Sequence, residues 1–134
     1  MIASSTGPRI ALVRLNRIAL LVASIAIAIP ASAQTATTTT LAVTSGGSAA
    51  TSVSSGTVVT LTATVMAAST PVTPGQVEFC DASVSYCTDI HQLGMAQLTA
   101  SGKAVFKFRP GGGSHTYKAI FLGTKTYADR KSVV

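Results

Sequence analysis

Residues 102–127, GKAVFKFRPGGGSHTYKAIFLGTKTY, decide the fold of this chain. They contain two segments in which apolar side chains occupy every second position, separated by Pro-Gly-Gly-Gly at 110–113. Alternation with period two is typical of strands that bury one face, and glycines tolerate the positive φ angles of a tight reversal. The stretch therefore predicts an antiparallel hairpin. The residues on its inward faces are Ala104, Phe106 and Phe108 in the first strand, and His115, Tyr117, Ala119 and Phe121 in the second.

Upstream of this hairpin, residues 57–66 (TVVTLTATVM) carry the clearest strand pattern, with Leu61 near the middle of the apolar face. No window after the first 33 residues keeps an apolar period of 3.6, so we expect almost no helix. Several short strands separated by turn residues predict an all-β sandwich. The remaining predicted strands are 38–44, 76–80 and 93–98.

The first 33 residues have the pattern of a secretory signal peptide. A basic leader with three arginines precedes the apolar run 18–29 and the small-residue box Ala31-Ser32-Ala33. Twelve residues at 1.5 Å each span about 18 Å, which is short of the roughly 30 Å hydrocarbon core of a membrane. We expect cleavage between Ala33 and Gln34, no membrane span afterwards, and a secreted or cell-surface location, with the periplasm as the alternative compartment.

The charge of the mature chain excludes one large class of partner. The full chain carries +6, but residues 34–134 hold seven Lys or Arg and four Asp or Glu, a net of +3. These charges are dispersed along strands, whereas nucleic-acid binding needs a clustered basic patch with stacking aromatics. We therefore expect no nucleic-acid partner. Residues 34–37 form a threonine-rich lead-in that we expect to be flexible.

The order and spacing of several motifs resemble a bacterial Ig-like repeat domain over residues 38–134. The resemblance implies a seven-strand, immunoglobulin-like Greek-key sandwich with a non-enzymatic extracellular role, and neighbouring repeats of the same kind. The motifs are VTLTATV at 59–65, GQVEF at 75–79, LGMAQLTASGKAVF at 93–106, GSHTYKAIFLG at 113–123, and then Tyr127.

The C-terminal segment departs from that pattern. After Tyr127 the family continues into a last strand that pairs with the strand carrying Tyr117, but here only residues 132–134 have strand character. Strands commonly run five or six residues, so we expect this last strand to be truncated. The edge beside Tyr117 would then be open. The favoured explanation is a truncated gene or a fragment of a longer multi-repeat protein, and the alternative is an edge that accepts a strand donated by a partner.

The two cysteines are predicted to form a local disulfide. Cys80 ends a predicted strand and Cys87 follows a six-residue loop. Exported proteins meet an oxidising compartment, and closing so short a loop stabilises the fold by about 2–3 kcal/mol. A redox or metal pair is disfavoured, because the spacing is not Cys-x-x-Cys and two thiolates need further ligands to hold zinc.

The histidines and the remaining nucleophilic or acidic side chains form no motif that predicts a catalytic, cofactor or metal site. His115 is interpreted as a half-buried, hydrogen-bonded residue at or near the start of its strand, and His91 as a loop residue. No G-x-S-x-G nucleophile turn is present, and no D-x-D-x-D-G loop for calcium. We therefore predict that the protein is not an enzyme and uses no cofactor.

The aromatic residues are assigned structural roles. Tyr117 lies two residues before Ala119, the position of the second cysteine in antibody domains, and this offset implies a tyrosine corner whose hydroxyl bonds upstream backbone. Burial of each inward phenylalanine contributes roughly 2–3 kcal/mol. The core assignment comprises Leu61, Phe79, Phe106, Phe108 and Phe121.

Three functional hypotheses remain open from the sequence. The leading one is a spacer or adhesion module, one repeat of a longer surface protein. The second is a module that binds a glycan or a protein through its loops or at an open strand edge. The third, an enzyme or inhibitor, has no motif to support it.

Overall fold

The computed structural model describes residues 33–133. The predicted signal peptide therefore lies outside the described residues, except for Ala33 at its expected cleavage site. Nine strands and one three-residue 3₁₀ turn, Asp89–His91, occur in the described range. The strands are β1 (Thr38–Ser45), β2 (Ser48–Ala49), β3 (Val59–Ala67), β4 (Thr70–Pro71), β5 (Gln76–Asp81), β6 (Gln92–Gln97), β7 (Lys103–Phe108), β8 (Tyr117–Phe121) and β9 (Arg130–Val133).

These strands form two antiparallel sheets. In the first sheet β1 lies between β2 and β3. The other side of β3 pairs with β7 along residues 59–64 and with β4 at Met66 and Ala67. The second sheet has the order β6-β5-β8-β9. Seven of the strands are four residues or longer and two are only two residues long. The predicted all-β sandwich is confirmed, together with the near absence of helix in the described part.

The core lies between the two sheets and is organised around β3. Every second residue of β3, from Val59 to Ala67, is buried, whereas the residues between them are half-buried. This face packs against the inward residues of β5 and β8, and these include the fully buried Phe79 and Phe121. Leu61 is also fully buried, as the alternation of apolar residues in the sequence predicts. Each such large apolar side chain contributes about 1.5–3 kcal/mol by leaving water.

A row of aromatic rings runs from this core to one end of the sandwich. Phe106 stacks on Phe79 with ring centroids 5.8 Å apart and on Phe108 at 5.7 Å, and Phe108 meets Tyr117 edge-on at 5.4 Å. Phe106 and Phe108 are only half-buried, so they cover the margin of the core instead of its centre. Gly94 of β6 lies directly over Phe106.

The last strand corrects the prediction of an open edge beside β8. β9 pairs with β8 from Arg130 opposite Phe121 to Val133 opposite Lys118. The strand is short, but it begins two residues earlier than the sequence pattern indicated. Its residues are mostly exposed, so backbone hydrogen bonds define it and no apolar alternation marks its start.

The threonine-rich lead-in is paired, contrary to the expected flexible segment. The Thr35 N–H donates to the Thr126 carbonyl at 2.7 Å, and the Ala128 N–H donates to the Thr35 carbonyl at 3.0 Å, in a parallel bridge. The buried Thr37 hydroxyl donates to the Ala128 carbonyl at 2.9 Å. Residues 34–37 therefore join the start of the domain to the segment that leads into β9.

Gly94→Ala is expected to destabilise the domain by about 1–3 kcal/mol, the usual cost of overpacking a well-packed site. A Cβ at this position would clash with Phe106 Cε2, and that ring is held between Phe79 and Phe108. Urea unfolding gives the comparison with Gly112→Ala, whose Cβ meets nothing within 4 Å and which should change stability little. Equal stability of the two variants would contradict this packing.

Candidate functional site

Three loops meet at one end of the sandwich. The β2–β3 loop (50–58) and the β7–β8 loop (109–116) meet there because Val59 pairs with Phe108. The β5–β6 loop (82–91) joins them because Asp81 pairs with Tyr117 at the start of β8. Loops held by a rigid scaffold commonly carry the function of such domains. This end of the molecule is therefore the candidate functional site.

The β5–β6 loop is fixed by a disulfide and a buried lysine. Cys80 and Cys87 are bonded as predicted, with their Cα atoms 5.7 Å apart. The loop covers Lys118 of β8, which is 2% exposed. The Lys118 ammonium donates to the carbonyls of Val84 at 2.5 Å and Tyr86 at 3.1 Å. A buried charge is tolerated only when it is hydrogen-bonded, so this lysine anchors the loop onto the outer face of the second sheet.

A groove of about 720 Å³ separates the other two loops. Residues 50–55 form one wall and residues 110–115 form the other, while Val43, Val59 and Tyr117 lie along its floor. A groove of this size falls in the usual range for small-ligand sites. Four of the six residues in the first wall are Ser or Thr, whereas the second wall consists of Pro110, three glycines, Ser114 and His115.

Tyr117 lines this groove without the hydrogen bond expected of a tyrosine corner. Its side chain is 8% exposed, and its hydroxyl bonds no group within residues 33–133. In the same range no buried side-chain nitrogen or oxygen lacks a partner, so the hydroxyl must reach accessible surface. Burial of the ring, and secondarily the charge of Asp81, raises the pKa of this phenol. Tyr117 is therefore a neutral hydroxyl group at neutral pH.

His115 occupies a different place from the one predicted. It precedes β8 and is exposed, so the expectation of a half-buried strand residue is wrong. Its ring stacks on Tyr117 with centroids 6.1 Å apart, and its Nε2 lies 3.0 Å from the Gly111 carbonyl. The hydrogen bond that the sequence led us to expect is present, but it is made within the exposed loop. β8 begins at Tyr117, two residues later than the sequence pattern predicts, because residues 115 and 116 belong to the β7–β8 loop.

The other ionisable groups of this end are held by local contacts. The backbone N–H of Ser83 donates to Asp81 Oδ1 at 2.8 Å, and this bond is the main reason that the pKa of Asp81 is lowered. His91 ends the 3₁₀ turn and packs edge-on against Tyr86 at 5.4 Å. In the described range neither histidine hydrogen-bonds a serine hydroxyl.

One group of side chains has the composition of a metal site. Glu78, Cys80 and Cys87 bring their ligand atoms within 4.8 Å of one another. Both sulfurs belong to the disulfide, however, and the Glu78 carboxylate accepts a hydrogen bond from Gln92 Nε2 at 2.7 Å. Thiolates are the metal-binding form of cysteine, so we draw no metal role from this cluster.

Comparison with known families decides the identity of the fold. The family model described as bacterial Ig-like domain (group 3) matches residues 44–134, from the end of β1 through β9. The chain belongs to this family. The Ig-like resemblance seen in the sequence motifs is thereby confirmed. No curated protein and no solved structure matches the chain significantly.

Sequence reasoning missed two features of this Ig-like domain. Lys118 alternates with Tyr117 and Ala119, so the pattern placed it on the outer, solvated face; the loop that covers it is a tertiary feature. The groove was missed because its walls are loops without strand or helix periodicity. The available signals were the short Cys80–Cys87 spacing and the two Ser- or Gly-rich segments at 50–56 and 111–114.

Lys118→Met is expected to destabilise the Ig-like domain by about 1–3 kcal/mol, since the carbonyls of Val84 and Tyr86 lose a charged donor. Lys131→Met on β9 removes an exposed ammonium and serves as the matched control, with a change near zero. Thermal and urea unfolding measure both. Equal stability of the two variants would show that the disulfide alone holds the loop.

Tyr117→Phe is expected to leave stability within about 0.5 kcal/mol of the parent, because no hydrogen bond is lost. Thr37→Val provides the positive control, since its buried hydroxyl does bond the Ala128 carbonyl and its loss should cost about 1 kcal/mol. Both values come from denaturant unfolding. A loss at Tyr117 as large as that at Thr37 would restore the tyrosine-corner interpretation.

Proposed function

We propose that this Ig-like domain is a structural spacer in a secreted or cell-surface protein, one of a series of repeats that hold functional parts apart. Membership of the bacterial Ig-like family supports a non-catalytic structural or adhesive module. The single observation that carries the spacer role is the path of the chain, which enters the sandwich at one end and leaves it at the other.

That path follows from the strand register. β1 starts at Thr38 opposite Met66, at the end of β3 that lies away from the groove. β9 runs from Arg130 opposite Phe121 to Val133 opposite Lys118, beside the three loops of the candidate site. A nine-residue strand such as β3 is about 30 Å long. Copies joined end to end would therefore extend along the strand axis and add their lengths.

The join between the first and last segments suits a module under tension. Tension applied between the two termini would slide residues 34–37 past residues 124–128. The parallel bridge between Thr35 and Tyr127 lies across that motion, so its hydrogen bonds would be loaded together in shear. The Gln34 side-chain amide adds a bond to the Thr124 carbonyl at 2.5 Å. Several bonds that must break at once resist force better than bonds that break one by one.

The proposed compartment rests on the disulfide and the family. Structural disulfides persist in oxidising environments, which agrees with an extracellular or surface location. None of the helices in the described residues is long and apolar enough to span a membrane. Export by the predicted signal peptide is part of this proposal, and cleavage would leave Gln34 as the first residue.

The spacer role predicts that length grows linearly with copy number. One, two and three copies of residues 34–134 joined directly should show a maximum dimension that rises by about 30–40 Å per copy, given the strand length and its flanking loops. Small-angle X-ray scattering measures this dimension. A matched set with a flexible Gly-Ser linker between copies should give a broader distance distribution. Copies that fold back on one another, so that the third adds little length, would contradict the proposal.

A further inference from the structure

The loop groove holds a feature that a spacer does not need. Tyr117 is more than nine-tenths buried, yet its hydroxyl bonds nothing within the described residues and reaches accessible surface. Tyr117 is one of the residues that line the groove. A hydroxyl group that makes no hydrogen bond within the protein and reaches solvent keeps its donor and acceptor available, so a ligand in the groove can bond it in place of water.

The lining of the groove sets the chemistry of such a ligand. It contains no Lys, Arg, Asp or Glu, although the whole chain is basic. Its walls offer serine and threonine hydroxyl groups, which both donate and accept, and the peptide groups of Gly111, Gly112 and Gly113. Its floor adds apolar surface from Val43 and Val59. A matching ligand is uncharged, rich in hydroxyl groups and apolar on one face.

We propose that this groove binds a short neutral oligosaccharide. Sugar hydroxyls would pair with the wall hydroxyls and with Tyr117, and the C–H face of a sugar ring would pack on an aromatic or aliphatic surface. The exposed ring of His115 offers such a surface, since Tyr117 stacks behind it and fixes its orientation. The volume of about 720 Å³ accommodates a ligand of a few sugar units.

An extended peptide fits this place less well. Peptides are commonly held by adding a strand to the edge of a sheet, where main-chain hydrogen bonds supply the affinity. The groove lies between two loops, and the residues that form its walls belong to no long strand. An anionic polymer would be attracted by the net positive charge of the chain anywhere on its surface, without using the groove. A sugar site at one end of the domain is independent of the spacer role, so each can fail without the other.

The test is a titration of the isotopically labelled protein, followed by amide chemical shifts in physiological salt. The probes are cellobiose, maltose and N,N′-diacetylchitobiose, with an uncharged Gly-Ser peptide of similar size. At least one saccharide should shift the amides of the 50–55 and 110–115 loops. Tyr117→Phe should weaken that binding about threefold to tenfold, the contribution of one hydrogen bond. Tyr86→Phe, which alters an exposed tyrosine of the β5–β6 loop, should leave it unchanged.

A second variant keeps the test decisive if Tyr117→Phe is poorly folded. Ser114→Leu removes a wall hydroxyl at an exposed position and fills part of the groove with a branched side chain that has no flat ring, so it should weaken binding at least about tenfold while the amide spectrum of the core strands stays the same. The proposal is overturned if no neutral saccharide shifts the loop amides, or if the Gly-Ser peptide binds and the saccharides do not. It is also overturned if saccharide binding is the same in the parent, Tyr117→Phe and Ser114→Leu.

Discussion

Burial of one face of β3 is the constraint on which the rest of this structure depends. β3 pairs with β1 along one edge and with β4 and β7 along the other, so its register positions the whole first sheet. Its buried residues then set the surface against which β5 and β8 must pack. A slip of one residue would turn every apolar side chain of β3 toward solvent, and that penalty makes the register unique. The loops of the candidate site inherit their positions from this register.

Backbone hydrogen bonds complete what apolar burial begins. β9 and the lead-in at 34–37 bury little apolar surface, yet they cover the edge of β8 and join the first segment to the last. Arg130 and Lys131 also place positive charge on the outer edge of the second sheet, which discourages pairing with another copy. At the other end, the disulfide and Lys118 hold a loop that has almost no core of its own. The two ends thus serve different roles: one joins the lead-in to the segment before β9, and the other presents loops.

The sequence predicts those strands of the fold whose side chains alternate between apolar and polar positions. β3, β5 and β7 were foreseen within one or two residues, because each alternates apolar and polar positions around a buried face. β9 and the start of β8 were misplaced, because exposed strands and loop boundaries depend on hydrogen bonds that leave no apolar pattern. Of the candidate site, the cysteine pair was predicted from spacing and compartment. Burial of Lys118, exposure of His115 and the unbonded hydroxyl of Tyr117 arise from how loops cover the sheet, which a one-dimensional pattern does not encode.

Residue-level hydrogen exchange of the purified protein tests the central claim most directly, namely that the first and last segments close the sandwich. The amides of Thr35 and Ala128 are both donors in the parallel bridge. The account therefore predicts that they exchange far more slowly than the amides of the open loop residues Gly111 and Gly112. The amides of β3 provide the reference for full protection. Exchange of Thr35 and Ala128 at the rate of the loop glycines, with β3 still protected, would show that the lead-in is not joined to the segment before β9 and would contradict the account.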